Sequence, residues 1–275
     1  MERNHTMKYY LCSIHENEGT LSNDSNDLQK YYELGWETHY PHIEIKKLLL
    51  EGKFNNEVDF IVTHEDRMFL YSKDFKNVIS YSTFKKINPD ESQIEKYCME
   101  FVSDKSFFHQ NVPNHKELVI NLDFCSLENF DVSSPFYIIH PRLRDWNQVR
   151  NICGDFWKKI TSHFEQKNMK GFVFGKEGKG FENENLKHVS LREYCSLAHH
   201  ENCKFVVGSM SGGTMIMQFC SNPQAKIFVI LSTGYEGGSF GPNTGPLFHD
   251  PLWNFTNSPT FFFKEKNIEK VLQAI

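Results

Sequence analysis

The stretch KFVVGSMSGGTMIMQFC, residues 204–220, decides the fold class. Phe205, Val206 and Val207 form a short apolar run of the kind that fills a buried strand, and residues 208–213 follow as a turn of small residues. From Ser211 to Cys220 the pattern is helical. A buried strand that passes through a glycine-rich turn into a helix is one half of a parallel β-α-β unit. Downstream, Lys226–Leu231 reads as the next strand and Asn267–Ile275 as a closing helix. Upstream, Leu191–His199 reads as a short helix and Gly171–Phe174 as a strand ending in the glycine-rich GKEGKG. Before these, Trp146–Gln166 carries Val149, Ile152, Phe156, Ile160 and Phe164 at helical intervals, and Phe136–His140 is an apolar strand. This alternation predicts an α/β fold with a parallel sheet covered on both faces, and a domain boundary near residue 134.

The first third is less regular. Lys8–Ile14 reads as a buried strand, followed by the polar loop His15–Asp27. Helices are expected over Leu28–Leu34 and Ile43–Leu50, split by a turn at Pro41, with β-like runs at Val58–Thr63, Met68–Ser72 and Val78–Ser82. Glu91–Val102 reads as a helix, with Ile94, Tyr97, Cys98 and Phe101 on one face, and Leu118–Phe124 as a strand. His39/His42 and His199/His200 read as surface or helix-end residues with no third ligand to make a metal site.

Composition narrows the function. At 275 residues, 39% hydrophobic and 24% charged, the chain is long enough for two domains with proper cores. A net charge of −5 argues against binding nucleic acid through a large basic surface. The seven cysteines form no CxxC pair, which excludes a zinc ribbon, argues against a disulfide framework and fits a reducing compartment. The apolar run Tyr9–Ile14 is too short for a signal core or a bilayer span, so a cytoplasmic protein without an integral membrane segment is expected. Arginine is scarce, six against 24 lysines, yet Arg142, Arg144 and Arg150 fall within nine residues. Such a cluster calls for an explanation.

The turn at 208–214 offers one. The first N–H groups of a helix lack intrahelical partners and carry partial positive charge. Gly212 and Gly213 let a ligand approach the main chain, while Ser211 and Thr214 add hydroxyls, a pattern suited to a diphosphate. The plainer alternative is an N-cap beneath a tight helix–sheet contact. Arg142 and Arg144 also leave a strand at its carboxyl end, where open parallel sheets bind ligands, so both elements could converge on one anion. Ser209-Met-Ser211-Gly-Gly213 also approximates a nucleophile elbow. That mechanism needs an acid and then a histidine downstream; Glu236 is the first acid and His249 the only histidine, so the triad is poorly supported. Neither GKEGKG nor SMSGGT is a Walker loop, because the Lys-Ser/Thr step is missing.

From Phe136 onward the chain resembles the carboxyl-terminal, donor-binding domain of GT-B glycosyltransferases, the heptosyltransferase-like group in particular. The resemblance rests on His140-Pro-Arg142 at a strand end, Phe174-Gly175-Lys176, Leu191-Arg-Glu-Tyr194, the turn Val207-Gly-Ser-Met-Ser-Gly212 and the loop Gly241-Pro-Asn-Thr-Gly-Pro246. The family often places an aspartate before the Ser-Gly and a histidine four residues after the serine; here Met210 and Met215 stand there. The resemblance implies two Rossmann-like domains facing across a cleft, 1–134 on the acceptor side and 135–275 binding a nucleotide-sugar donor. It implies transfer of a sugar from a nucleotide-diphosphate sugar to a hydroxyl on a glycan or glycoconjugate, with inversion, no metal and no cofactor. Donor contacts are expected from Arg142, Arg144, Gly175, Lys176, Ser211, Gly212, Gly213 and Thr214. The general base is expected in the loop after the first strand, at Glu16 with His15 second, and Asp59, His64, Glu65 and Asp66 in reserve. A non-catalytic nucleotide- or glycan-binding protein of the same fold, and a serine hydrolase using Ser211, remain as alternatives.

Overall fold

The computed structural model describes residues 6–14, 41–97, 121–141, 151–175, 186–232 and 258–275. The chain divides into two compact units, Met1–Asp123 and Phe124–Ile275. The expected boundary near 134 falls within the connection that follows this division. Residues of that connection are fastened to the second unit: Phe124 stacks on His199, the Cys125 N–H donates to Ser196 Oγ at 2.9 Å, and Asn202 donates to the Val132 carbonyl at 2.9 Å.

The first unit is built on the parallel strands β1 (Tyr9–Leu11), β2 (Phe60–Thr63), β3 (Val78–Ser80) and β4 (Ile94–Lys96), in the order β3-β2-β1-β4. Helix α1 (Pro41–Leu50) starts on Pro41 itself. Proline is suited to the first helical position because its missing N–H has no intrahelical partner there. Helix α2 (Tyr81–Ile87) is opened by Ser80, whose Oγ accepts the Thr83 N–H. Several expectations fail here, and the described part of the expected strand Leu118–Phe124, residues 121–124, forms no strand. Residues Glu65–Leu70 form a 3₁₀ helix capped by His64, in place of the β-like run at 68–72. Asp90 and Gln93 form a capping box that opens only the 3₁₀ turn Glu91–Gln93, after which Ile94 pairs beside Tyr9. Sheet pairing with β1 outweighs the helical spacing of Ile94 and Tyr97. His42 is no surface residue: it is wholly buried, and its Nε2 is 2.9 Å from the Leu70 carbonyl.

The second unit contains β5 (Phe136–His140), β6 (Lys170–Phe174), β7 (Lys187–Val189), β8 (Cys203–Ser209), β9 (Lys226–Leu231) and β10 (Thr260–Lys264). All pair in parallel, in the order β10-β9-β8-β5-β6-β7. Counted within the unit, this is the doubly wound 3-2-1-4-5-6 order read from the other edge, with the switch of direction between β5 and β8. Helix α3 (Gly154–Gln166) lays Phe156, Trp157, Ile160 and Phe164 into the core, where Phe164 stacks on Tyr137 with centroids 4.0 Å apart. Helix α4 (Leu191–His199) carries a capping box between Ser190 and Glu193. The expected helix through Cys220 is two short pieces, α5 (Gly212–Met215) and α6 (Met217–Cys220), broken at Ile216. Helix α7 (Ile268–Ala274) closes the chain and buries Val271 in the same core.

Among the described residues, no helix is long and apolar enough to cross a membrane.

Candidate active site

β5 and β8 are neighbours, with His140 in register with Gly208, so the chain leaves both strands at the point where the sheet order reverses. In doubly wound sheets this crevice beyond the carboxyl ends holds ligands. Apolar β5 ends on His140, which is 6% exposed, and β8 runs into Ser211, which is 4% exposed. His140 Nε2 lies 2.7 Å from Ser211 Oγ, and His140 Nδ1 lies 2.9 Å from the Phe174 carbonyl at the end of β6. A carbonyl oxygen only accepts, so Nδ1 carries a proton. With a neutral ring, Nε2 is then an acceptor and the Ser211 hydroxyl donates to it.

The surroundings hold this geometry in place. Phe174 stacks on His140 with centroids 5.0 Å apart, and Tyr194 of α4 stacks on Phe174 at 4.4 Å. Burial raises the Tyr194 phenol well above its usual pKa, so it stays neutral. A Cβ at Gly213 would sit 2.5 Å from His140 Nε2 and 3.0 Å from the Phe174 ring, so only glycine allows α5 to pass this close beneath the imidazole. Gly175 has φ +118°, a conformation that favours glycine, and it turns the chain away just past the Phe174 carbonyl.

The expected donor residues fall into two groups. Gly175, Ser211, Gly212, Gly213 and Thr214 are in the described part of the second unit, and the first, second and fourth of these close around His140. Ser211 occupies the N-cap position of α5 but makes no side-chain cap, because its hydroxyl is turned to His140. Thr214 is wholly buried; its hydroxyl donates to the Ser209 carbonyl at 2.5 Å and its N–H to the Ser211 carbonyl. It therefore holds the turn. Arg142, Arg144, Lys176, His15 and Glu16 lie outside the described residues. Met210 and Met215, which stand where the resemblance leads us to expect an acid and a histidine, are buried.

Of the reserve bases, Asp59 is a structural anchor whose carboxylate accepts the Lys8 N–H at 2.9 Å and the Asn55 N–H at 2.7 Å. His64 Nδ1 accepts the Asp66 N–H, which leaves the proton of a neutral ring on Nε2 and makes that edge a donor. Glu65 and Asp66 are exposed. His140 is the residue that sequence reasoning left without a role. The available signal was a single histidine closing an otherwise apolar or aromatic strand, FYIIH, directly before Pro141.

No protein-family model matches the chain, and no curated protein is similar to it in sequence. Solved structures do resemble it. The ADP-heptose lipopolysaccharide heptosyltransferase II of E. coli superposes with a TM-score of 0.53 over 97% of this chain and 97% of that one, at 10% identity. The fold is similar to that of this enzyme. E. coli heptosyltransferase WaaC with ADP covers 98% of this chain and 99% of its own at 9% identity, with a TM-score of 0.48. The likeness is one of fold.

Proposed function

We propose that the chain is a glycosyltransferase of the GT-B type that moves a sugar from a nucleotide-diphosphate sugar to a hydroxyl acceptor on a glycan or glycoconjugate. The observation that carries this is the meeting of His140 and the Ser211 turn at the switch point of a heptosyltransferase-like sheet. In this reading the second unit binds the donor. As the glycosidic C–O bond breaks, negative charge gathers on the leaving diphosphate. Arg142, Arg144, Lys176, the Ser211 hydroxyl and the main chain at Gly212 and Gly213 stabilise it, with Gly175 and Thr214 shaping the site. Glu16, with His15 second, takes the proton from the acceptor hydroxyl. Inversion and independence from metal belong to the same proposal. The ADP-heptose named for heptosyltransferase II puts an ADP-sugar first among donors to try, although Met210 and Met215 weigh against heptose itself.

The test is a thermal-shift screen of ADP-, UDP-, GDP- and dTDP-sugars followed by turnover with the donor that binds. Glu16→Gln should lower kcat by roughly 10²–10⁴-fold with donor affinity kept, and a chelator should leave turnover intact. Near-normal turnover in Glu16→Gln would move the base elsewhere. Tight binding without turnover would favour a binding protein.

The 2.7 Å His140–Ser211 contact also favours a second reading, a serine hydrolase. A nucleophile elbow, however, holds its serine in a strained turn, whereas Ser211 has ordinary extended backbone, with φ −157° and ψ 167°. Labelling of Ser211 by a fluorophosphonate would decide for the hydrolase.

A further inference from the structure

We infer that His140 sets the direction of the Ser211 proton, so that anion binding at the turn takes up one proton from solvent. The inference rests on the donor-site reading above and adds a positioning residue to it. The Phe174 carbonyl holds the proton of the neutral ring on Nδ1, and Nε2 must then accept from Ser211. In that state the serine oxygen has only lone pairs to offer anything else. A phosphate oxygen also has only lone pairs, so the neutral pair presents the wrong polarity to the ligand.

Protonation of Nε2 reverses this. The imidazolium donates through both nitrogens, to the Phe174 carbonyl and to Ser211 Oγ, and the Ser211 O–H is released to donate to an anion. The balance is one proton moved from solvent to Nε2, with no covalent bond made or broken. Both side chains are more than nine-tenths buried, which disfavours a charged ring by itself and favours it once a diphosphate stands beside Ser211. By linkage, the ligand then favours protonation as much as protonation favours the ligand.

Among the described residues, the groups placed against the ring do not supply the proton themselves. From α4, Tyr194 lies 6.0 Å from the His140 ring centre and is held neutral by burial. Burial likewise raises the thiols of Cys203 and Cys220, which sit with Cys195 around Tyr194. β6 contributes the Phe174 ring and carbonyl, and α5 the backbone of Gly213. Arg142, Arg144 and Lys176, which follow β5 and β6 in sequence, keep their charge throughout the range in which histidine titrates.

The experiment is calorimetric titration with ADP-glucose, UDP-glucose, GDP-mannose and dTDP-glucose from about pH 5.5 to about pH 8.5. The diphosphate of such a diester does not titrate in that range, so any proton taken up enters the protein. Repeating each titration in two buffers of different ionisation heat counts the protons. The expected result is uptake approaching one proton per ligand on the alkaline side, with affinity falling about tenfold per pH unit there. In His140→Gln, which keeps a neutral hydrogen-bonding side chain, both the uptake and the pH slope should vanish while the ligand still binds. Binding by the unaltered protein with no uptake and no slope would overturn the inference and leave the donor site standing, as would a His140→Gln variant that kept the slope. A null proton count on the unaltered protein overturns the inference even if that variant fails to fold. Failure of all four sugar nucleotides to bind at any pH would instead remove the donor-site reading, and the inference with it.

Discussion

At the scale of single residues, the site depends on what is missing from Gly213. A methyl group there would meet His140 Nε2 at 2.5 Å, and the obstacle is a ring already held by the Phe174 carbonyl on its other edge. Gly213→Ala should therefore cost about 1–3 kcal/mol as an overpacked contact and push His140 away from Ser211. A urea unfolding curve reads the first effect, and the imidazole nitrogen shifts in an NMR spectrum read the second. Unchanged stability with unchanged shifts would mean that the turn adjusts freely. Sequence reasoning valued Gly213 for giving a ligand access to the main chain; the structure adds that it gives His140 access to Ser211.

At the scale of elements, the second unit is tied together by a side chain that no periodicity exposes. Asn222, 7% exposed, donates through Nδ2 to the carbonyls of Ala198, His200 and Cys203 at 3.3, 2.7 and 3.1 Å. Its Oδ1 accepts the N–H groups of Gln224 and Ala225, each at 3.0 Å. One amide thus joins the end of α4, the start of β8 and the turn before β9. Asn222→Ala strands several buried groups and should cost about 3 kcal/mol. Asn222→Asp should cost at least as much, because it turns an acceptor toward three carbonyls. Chemical denaturation of both variants checks the order, and a loss below about 0.5 kcal/mol in either would show that water replaces the amide.

For the whole molecule, a buried histidine sets a pH limit on stability. His42 of α1 is held neutral in the folded state, its pKa brought down to about 4 chiefly by burial, with the Lys46 charge acting in the same direction. Asp74 and the hydrogen bond to Leu70 oppose that shift. An unfolded histidine titrates near 6.5. Between about pH 6.5 and about pH 4 the unfolded chain therefore binds more protons than the folded one, and stability falls as the pH falls. The stability at stake is on the order of 3 kcal/mol, all of it present at neutral pH and gone below about pH 4. Urea midpoints at a series of pH values, compared with those of His42→Gln, check this. A variant as acid-sensitive as the parent would place the limit elsewhere.

What the sequence determined by itself was whatever depends on local pattern. Uninterrupted apolar runs bounded by polar turns marked β5, β9 and most of β8, and Leu191–His199 was legible as the helix α4. The parallel α/β class followed from their alternation, because parallel strands need helical crossovers. Tertiary structure decided the rest. Ile94 joined β1 in a sheet although its neighbours are spaced for a helix, since pairing beside an already buried strand outweighs a weak local preference. β7 and β10 are short or half-exposed, and pairing alone makes them strands. The site shows the same division. The glycines and serines of the Ser211 turn lie together in sequence and could be read there. His140 stands 71 residues before Ser211, and only the parallel pairing of β5 with β8 brings the imidazole to the hydroxyl.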